Sequence, residues 1–198
     1  MPVHASAIKT WANLVTVTRV LVAPLMFWLI PDHRDGNWLA FALWFVLCSS
    51  DKVDGVLARR HGTTTLGAFL DPLADKILIL GAMFTLVSRD VYWIVPVAIL
   101  AVRELGISLY RTFVGSKGVS VPASKIAKLK TVTQQLSVGF AIAPLTARDA
   151  QWLWKSLLWI AVVLAVISAA QYMWRAHTNR NVRVLAPASD IEALTGDA

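Results

Sequence analysis

The sequence predicts an all-α integral membrane protein with six transmembrane helices and both termini in the cytoplasm. Three observations predict it. The 198 residues are 57% hydrophobic, above the roughly half expected of a soluble domain. The apolar residues gather in six blocks, each close to the length of about 20 residues that a spanning helix needs. Basic residues crowd the joints on one side of those blocks and are scarce on the other. A closed barrel would instead need alternating strands of about ten residues, and the sequence has none.

In chain order the blocks cover residues 11–30, 38–58, 67–87, 91–113, 126–145 and 152–174. The joints at 31–37, 59–66 and 146–150 are short and polar, whereas 115–124 is longer and carries Gly, Ser and Pro. One transmembrane domain over residues 1–176 is expected, followed by a polar, disordered cytoplasmic tail at 177–198. The first block does not read as a cleaved signal: it is long, contains Arg19 and is followed by no small-residue cleavage site. Cys48 is the single cysteine, which excludes an internal disulfide and a cysteine-based metal site. The +7 net charge belongs to the membrane surface rather than to nucleic acid, because the charges follow the joints.

With the N-terminus inside, the inner joints hold Lys9, Arg59, Arg60, Arg111, Lys117, Lys125, Lys128, Lys130, Arg175, Arg180 and Arg183. The outer joints hold Arg34, Arg89 and Arg148, each with an Asp close by. This satisfies the positive-inside rule for a multi-pass membrane protein, and the opposite orientation would violate it. The charges inside the blocks then fall at one level just below the cytoplasmic surface. They are Arg19, Asp51, Lys52, Asp54, Asp71, Asp75, Lys76, Arg103 and Glu104. Intramembrane charge is costly and marks function, and its convergence describes one polar cavity open to the cytoplasm. Lys155 stands apart near an outer end, where it can snorkel to water.

Asp51 and Asp54 are three apart on the second block, and Asp71 and Asp75 four apart on the third. Each pair shares a helix face, and the short joint makes the two helices antiparallel neighbours. Four carboxylates in a low-dielectric site need compensation. All-oxygen ligation favours hard cations such as magnesium, manganese or calcium, and a pair of ions fits the ligand count and displacement at phosphorus. Gly55, Ala58 and Gly67 leave room beside the backbone, which also suits close helix packing. Arg59 at the helix mouth suits a phosphate, or serves only topology.

The run Asp51-x-x-Asp54-Gly55-x-x-Ala58-Arg59, seven residues, then Gly67-x-x-x-Asp71-x-x-x-Asp75 resembles the signature of the CDP-alcohol phosphotransferase (phosphatidyltransferase) family. Every fixed position is present. The resemblance implies an enzyme in which Asp51, Asp54, Asp71 and Asp75 hold two divalent cations, Mg2+ or Mn2+. It places the CDP-lipid along Asp54, Gly55, Ala58, Arg59 and Gly67, with Asp75 as general base on the acceptor hydroxyl.

The acceptor is written less clearly. Ser124-Lys125-x-x-Lys128-x-Lys130-Thr131-x-x-Gln134, Asn13-x-x-Thr16-x-x-Arg19 and Arg103-Glu104 are similar to stretches of bacterial phosphatidylglycerophosphate synthases. That likeness implies CDP-diacylglycerol as donor and glycerol 3-phosphate as acceptor. Arg111, Lys125, Lys128 and Lys130 are the candidate ligands of the acceptor phosphate; part of this cluster is a positive-inside anchor. Phosphatidylglycerol, as in cardiolipin synthases, and inositol phosphate are the rival acceptors. A cation transporter with a carboxylate site is the rival from another class, but it leaves the fixed glycines and the basic cluster unexplained. The tryptophan-rich last block suits either a homodimer interface or an aromatic belt among membrane lipids.

Overall fold

The computed structural model describes the backbone of residues 11–32, 35–61, 65–115 and 125–185, and the side chains of 16–32, 35–50, 73–110 and 126–174. Seven helices account for almost all of it: α1 (Trp11–Leu29), α2 (Trp38–His61), α3 (Thr65–Ser88), α4 (Ile94–Gly115), α5 (Lys125–Ile142), α6 (Pro144–Ala147) and α7 (Gln151–Leu185). Six of them match the six apolar blocks. No strand occurs among the described residues.

Two features depart from the sequence expectation. The sixth block is preceded by the single-turn α6, which Pro144 opens from its N-terminal position, where a missing N–H costs nothing. The last helix continues past His177 to Leu185, into the stretch expected to be disordered. No Gly or Pro interrupts it before Pro187, so nothing in the backbone stops the helix where the polarity changes.

The helices pack as a bundle in which α1 lies against α2 and α3, α5 lies against α7, and α4 touches α7 and α3. Each contributes one face to a shared core. On α7 that face is Trp154, Leu158, Ala161 and Ala165, and on α3 it is Leu78, Ala82, Met83 and Leu86, the recurrence expected of a helix buried on one side. Gly81 lets α3 approach α1: a Cβ there would stand 2.5 Å from the Phe27 ring. The opposite faces are apolar too, with Leu21, Trp28, Phe45, Val102, Leu109, Val163 and Trp174 exposed. A helix that is apolar all round belongs in a nonpolar solvent. Among the described residues, 151–174 is the stretch long and apolar enough to cross a bilayer by length and composition.

One end of the bundle is closed by local bonds. Asn37 caps α2, its Oδ1 accepting from the Leu39 and Ala40 amides at 2.8 and 3.2 Å. Its own N–H reaches the Ile142 carbonyl at the end of α5, 2.9 Å away. Gly36 adopts φ +69°, and a Cβ there would lie 2.5 Å from Pro144 Cα. Asp90 ends α3 in the left-handed region at φ 57° while the Val91 amide bonds back to Leu86, a helix-stop geometry that Asp tolerates. Trp154 is core rather than belt: it lies 5.5 Å from the Tyr92 ring, and its carbonyl accepts from Ser137 at 2.8 Å. Trp152, Trp159 and Trp174 remain on the exposed perimeter.

Candidate active site

Asp51 and Asp54 lie on α2, and Asp71 and Asp75 on α3. The side chains of Asp51, Asp54, Gly55, Ala58, Arg59, Gly67 and Asp71 lie outside the described residues, as do those of Arg111 and Lys125. Asp75 is described, is half-buried, and opens onto a small polar cavity.

That cavity is walled by Asp75, Lys76, Ile79 and Leu80 from α3, Glu104 from α4, and Lys130, Thr131 and Gln134 from α5. Helices α3, α4 and α5 thus bring together residues that the sequence separates by more than fifty positions. Lys130 is 2% exposed, and its ammonium pairs with the Glu104 carboxylate. Arg103 reaches the same carboxylate oxygen at 3.2 Å. The Arg103 guanidinium is itself tied to α7 through Ser168 Oγ at 2.6 Å and the Ala165 carbonyl at 3.3 Å. Buried charges need such partners, because an unpaired one loses its hydration without return. Lys128, two residues from Lys130, is exposed.

A second buried cation stands on the α1–α2 side. Arg19 is 2% exposed, and its Nε and Nη2 donate to Ser50 Oγ at 3.3 and 3.2 Å. Ser50 Oγ in turn donates to the Leu47 carbonyl at 2.8 Å. Ser50 directly precedes Asp51, so Arg19 is anchored beside the start of the aspartate motif.

Sequence reasoning placed Arg19, Arg103 and Glu104 at one level and Lys130 among the inner basic residues, but did not pair them. It missed Ser50, which stands beside Ser49 before the aspartate motif, and Ser168, a lone hydroxyl in an apolar stretch of α7. It also treated Lys130 as one of a group, although its burial separates it from Lys128.

The sequence profile of the CDP-alcohol phosphatidyltransferase family matches residues 9–167. The chain belongs to this family. It is 36% identical over 175 residues to a probable phosphatidylglycerophosphate synthase of Mycobacterium tuberculosis, covering 85% of this chain and 82% of that protein. It is 35% identical to the CDP-diacylglycerol–glycerol-3-phosphate 3-phosphatidyltransferase of Escherichia coli K12, over 81% of this chain and 91% of the relative. The Rickettsia typhi protein with the same name is 32% identical, over 83% and 95%. Family membership makes the chain a phosphatidyltransferase and removes the cation-transporter reading.

Proposed function

We infer that the chain transfers a phosphatidyl group from CDP-diacylglycerol to glycerol 3-phosphate, giving phosphatidylglycerophosphate and CMP in phospholipid synthesis. One observation carries this choice of acceptor: along more than four-fifths of its length the chain is similar to proteins named for that transfer. The buried Lys130 in the cavity beside Asp75 supports it, since a phosphate-bearing acceptor matches a cation there better than a neutral alcohol does. Phosphatidylglycerol and inositol phosphate are the acceptors it must outperform.

In this reading Asp75 takes the proton of the acceptor hydroxyl. The freed oxygen attacks the phosphorus that carries diacylglycerol, the new P–O bond forms, and the bond to CMP breaks. Asp54, Gly55, Ala58, Arg59 and Gly67 bind the CDP-lipid, with Arg59 at a phosphate. Asp51, Asp54, Asp71 and Asp75 would hold two divalent cations, Mg2+ or Mn2+. The donor set fits them: the four side chains offer oxygen only, paired at helical spacing on α2 and α3. Bound there, the cations supply compensation for charge on the pyrophosphate. Arg111, Lys125, Lys128 and Lys130 form the basic side of the acceptor site.

The same reading places six helices across the cytoplasmic membrane of a bacterial-type cell, with both termini and the cavity on the cytoplasmic side. The basic joints support that orientation. The exposed Trp152, Trp159 and Trp174 then face lipid, or a second copy of the chain where two associate. The test is purified protein with radiolabelled CDP-diacylglycerol and four acceptors in parallel: glycerol 3-phosphate, glycerol, phosphatidylglycerol and inositol phosphate. Glycerol 3-phosphate should be consumed best, EDTA should stop the reaction, and magnesium or manganese should restore it. Preference for another acceptor would overturn the substrate; full activity in chelator would overturn the metals.

A further inference from the structure

We propose that Glu104 is a positioning residue for the acceptor: its carboxylate holds the Lys130 ammonium at the wall of the Asp75 cavity, so that Lys130 meets the acceptor phosphate in one fixed place. The assignment rests on glycerol 3-phosphate being the acceptor. Glu104 does not touch the reacting atoms in this scheme. It acts through Lys130.

The first ground is geometry. Glu104 comes from α4 and Lys130 from α5, and both line the cavity that contains Asp75. The two helices pack chiefly through α3 and α7, so the Glu104–Lys130 pair is a side-chain tie across the cavity wall. A lysine has four rotatable bonds and can place its ammonium in many positions. Burial at 2% exposure and a carboxylate partner reduce those positions to few.

The second ground is charge. A tie that served only to fasten helices would be neutral. Here two cations, Arg103 and Lys130, share one carboxylate oxygen of Glu104. Among the described residues, Lys76 and Asp75 line the same cavity. Two cations on one carboxylate oxygen leave positive charge there that a bound anion relieves. Arg103 is held toward α7 by Ser168 and the Ala165 carbonyl, and Lys130 is the cation of the triad that lines the cavity. Its ammonium carries three N–H donors, so a bond to Glu104 is compatible with a further bond to a phosphate oxygen.

The experiment compares purified wild type, Glu104→Gln, Glu104→Asp and the double variant Glu104→Gln/Lys130→Met, with the Michaelis constants of both substrates and thermal unfolding measured for each. Glu104→Gln should raise KM for glycerol 3-phosphate on the order of 10- to 100-fold, as losing a partner that orients a ligand side chain does at metal sites. KM for CDP-diacylglycerol should stay within about twofold. Glu104→Asp should recover part of the loss. The double variant removes both charges of the buried pair, which is often neutral for stability; it should unfold near the wild-type temperature and still bind the acceptor weakly. If Glu104→Gln does not fold, Glu104→Asp decides, since it keeps the charge but shortens the reach to Lys130. An unchanged acceptor KM in either, or an equal rise for both substrates, would show a structural tie only and overturn the proposal. A wild type that ignores glycerol 3-phosphate would overturn the acceptor reading and this assignment together.

Discussion

The two ends of the bundle use the same kinds of residue to opposite effect. At the end closed by Asn37, Gly36 and Asp90, arginines pair with aspartates in the open: Arg89 with Asp32 at 2.5 Å and Arg148 with Asp35 at 3.2 Å. Half a helix away, Arg19, Arg103 and Lys130 are withdrawn from solvent and pair with Ser50, Ser168 and Glu104. Exposed pairs gain little, because water and salt screen them and the side chains lose entropy. Buried ones set position, because each charge must keep its partner or lose its solvation. The closed end therefore holds the loops through backbone geometry, and the buried level holds its side chains through charge.

The comparison breaks most visibly at Asp75. Asp75→Asn should lower kcat by about 100- to 10,000-fold, the range for a lost general base, with the unfolding temperature close to wild type. A loss confined to KM for the CDP-lipid would make Asp75 a ligand only, and the cavity would then hold no base.

A smaller effect of the opposite kind is expected at the closed end. Gly36→Ala introduces a side chain at positive φ against Pro144 Cα. The left-handed backbone alone costs roughly 1–2 kcal/mol, so the transition in a thermal melt should fall. Turnover per folded molecule should hold. Full stability in this variant would mean that the 35–37 loop moves freely and does not pin α2 to α5.

The smallest effect belongs to the exposed pair. Arg148→Ala should shift stability by no more than about 0.5 kcal/mol and leave both Michaelis constants unchanged. A larger shift, measured by denaturant or thermal unfolding in the same detergent, would dissolve the distinction between the two ends.

Much of the fold was legible because a helix is a local object. A mostly apolar stretch such as 67–87, broken only by Asp71, Asp75 and Lys76, specifies α3 without reference to anything else, and the joints at 31–37 and 59–66 specify where the chain turns back. Single-turn α6 was not legible: Pro144-Leu145-Thr146-Ala147 has no periodicity to read. The overrun of α7 to Leu185 was hidden by a change of polarity, although the absence of Gly and Pro before Pro187 was the better guide. The tryptophans of the last helix divided between core and perimeter on a difference of two positions, Trp152 against Trp154.

By itself the sequence determined the helices, the positive side, the aspartate spacing and hence the family, since each depends on residues close together in the chain. Its spacings of three and two also keep Lys125, Lys128 and Lys130 from all sharing one face. Only the tertiary structure decided that Lys130 is the buried one, that Glu104 and Arg103 are its company, and that Asp75 shares their cavity. Spacing along one helix fixes which way a side chain points, but the partner it meets depends on how α3, α4, α5 and α7 pack, and that packing is set by the whole core at once.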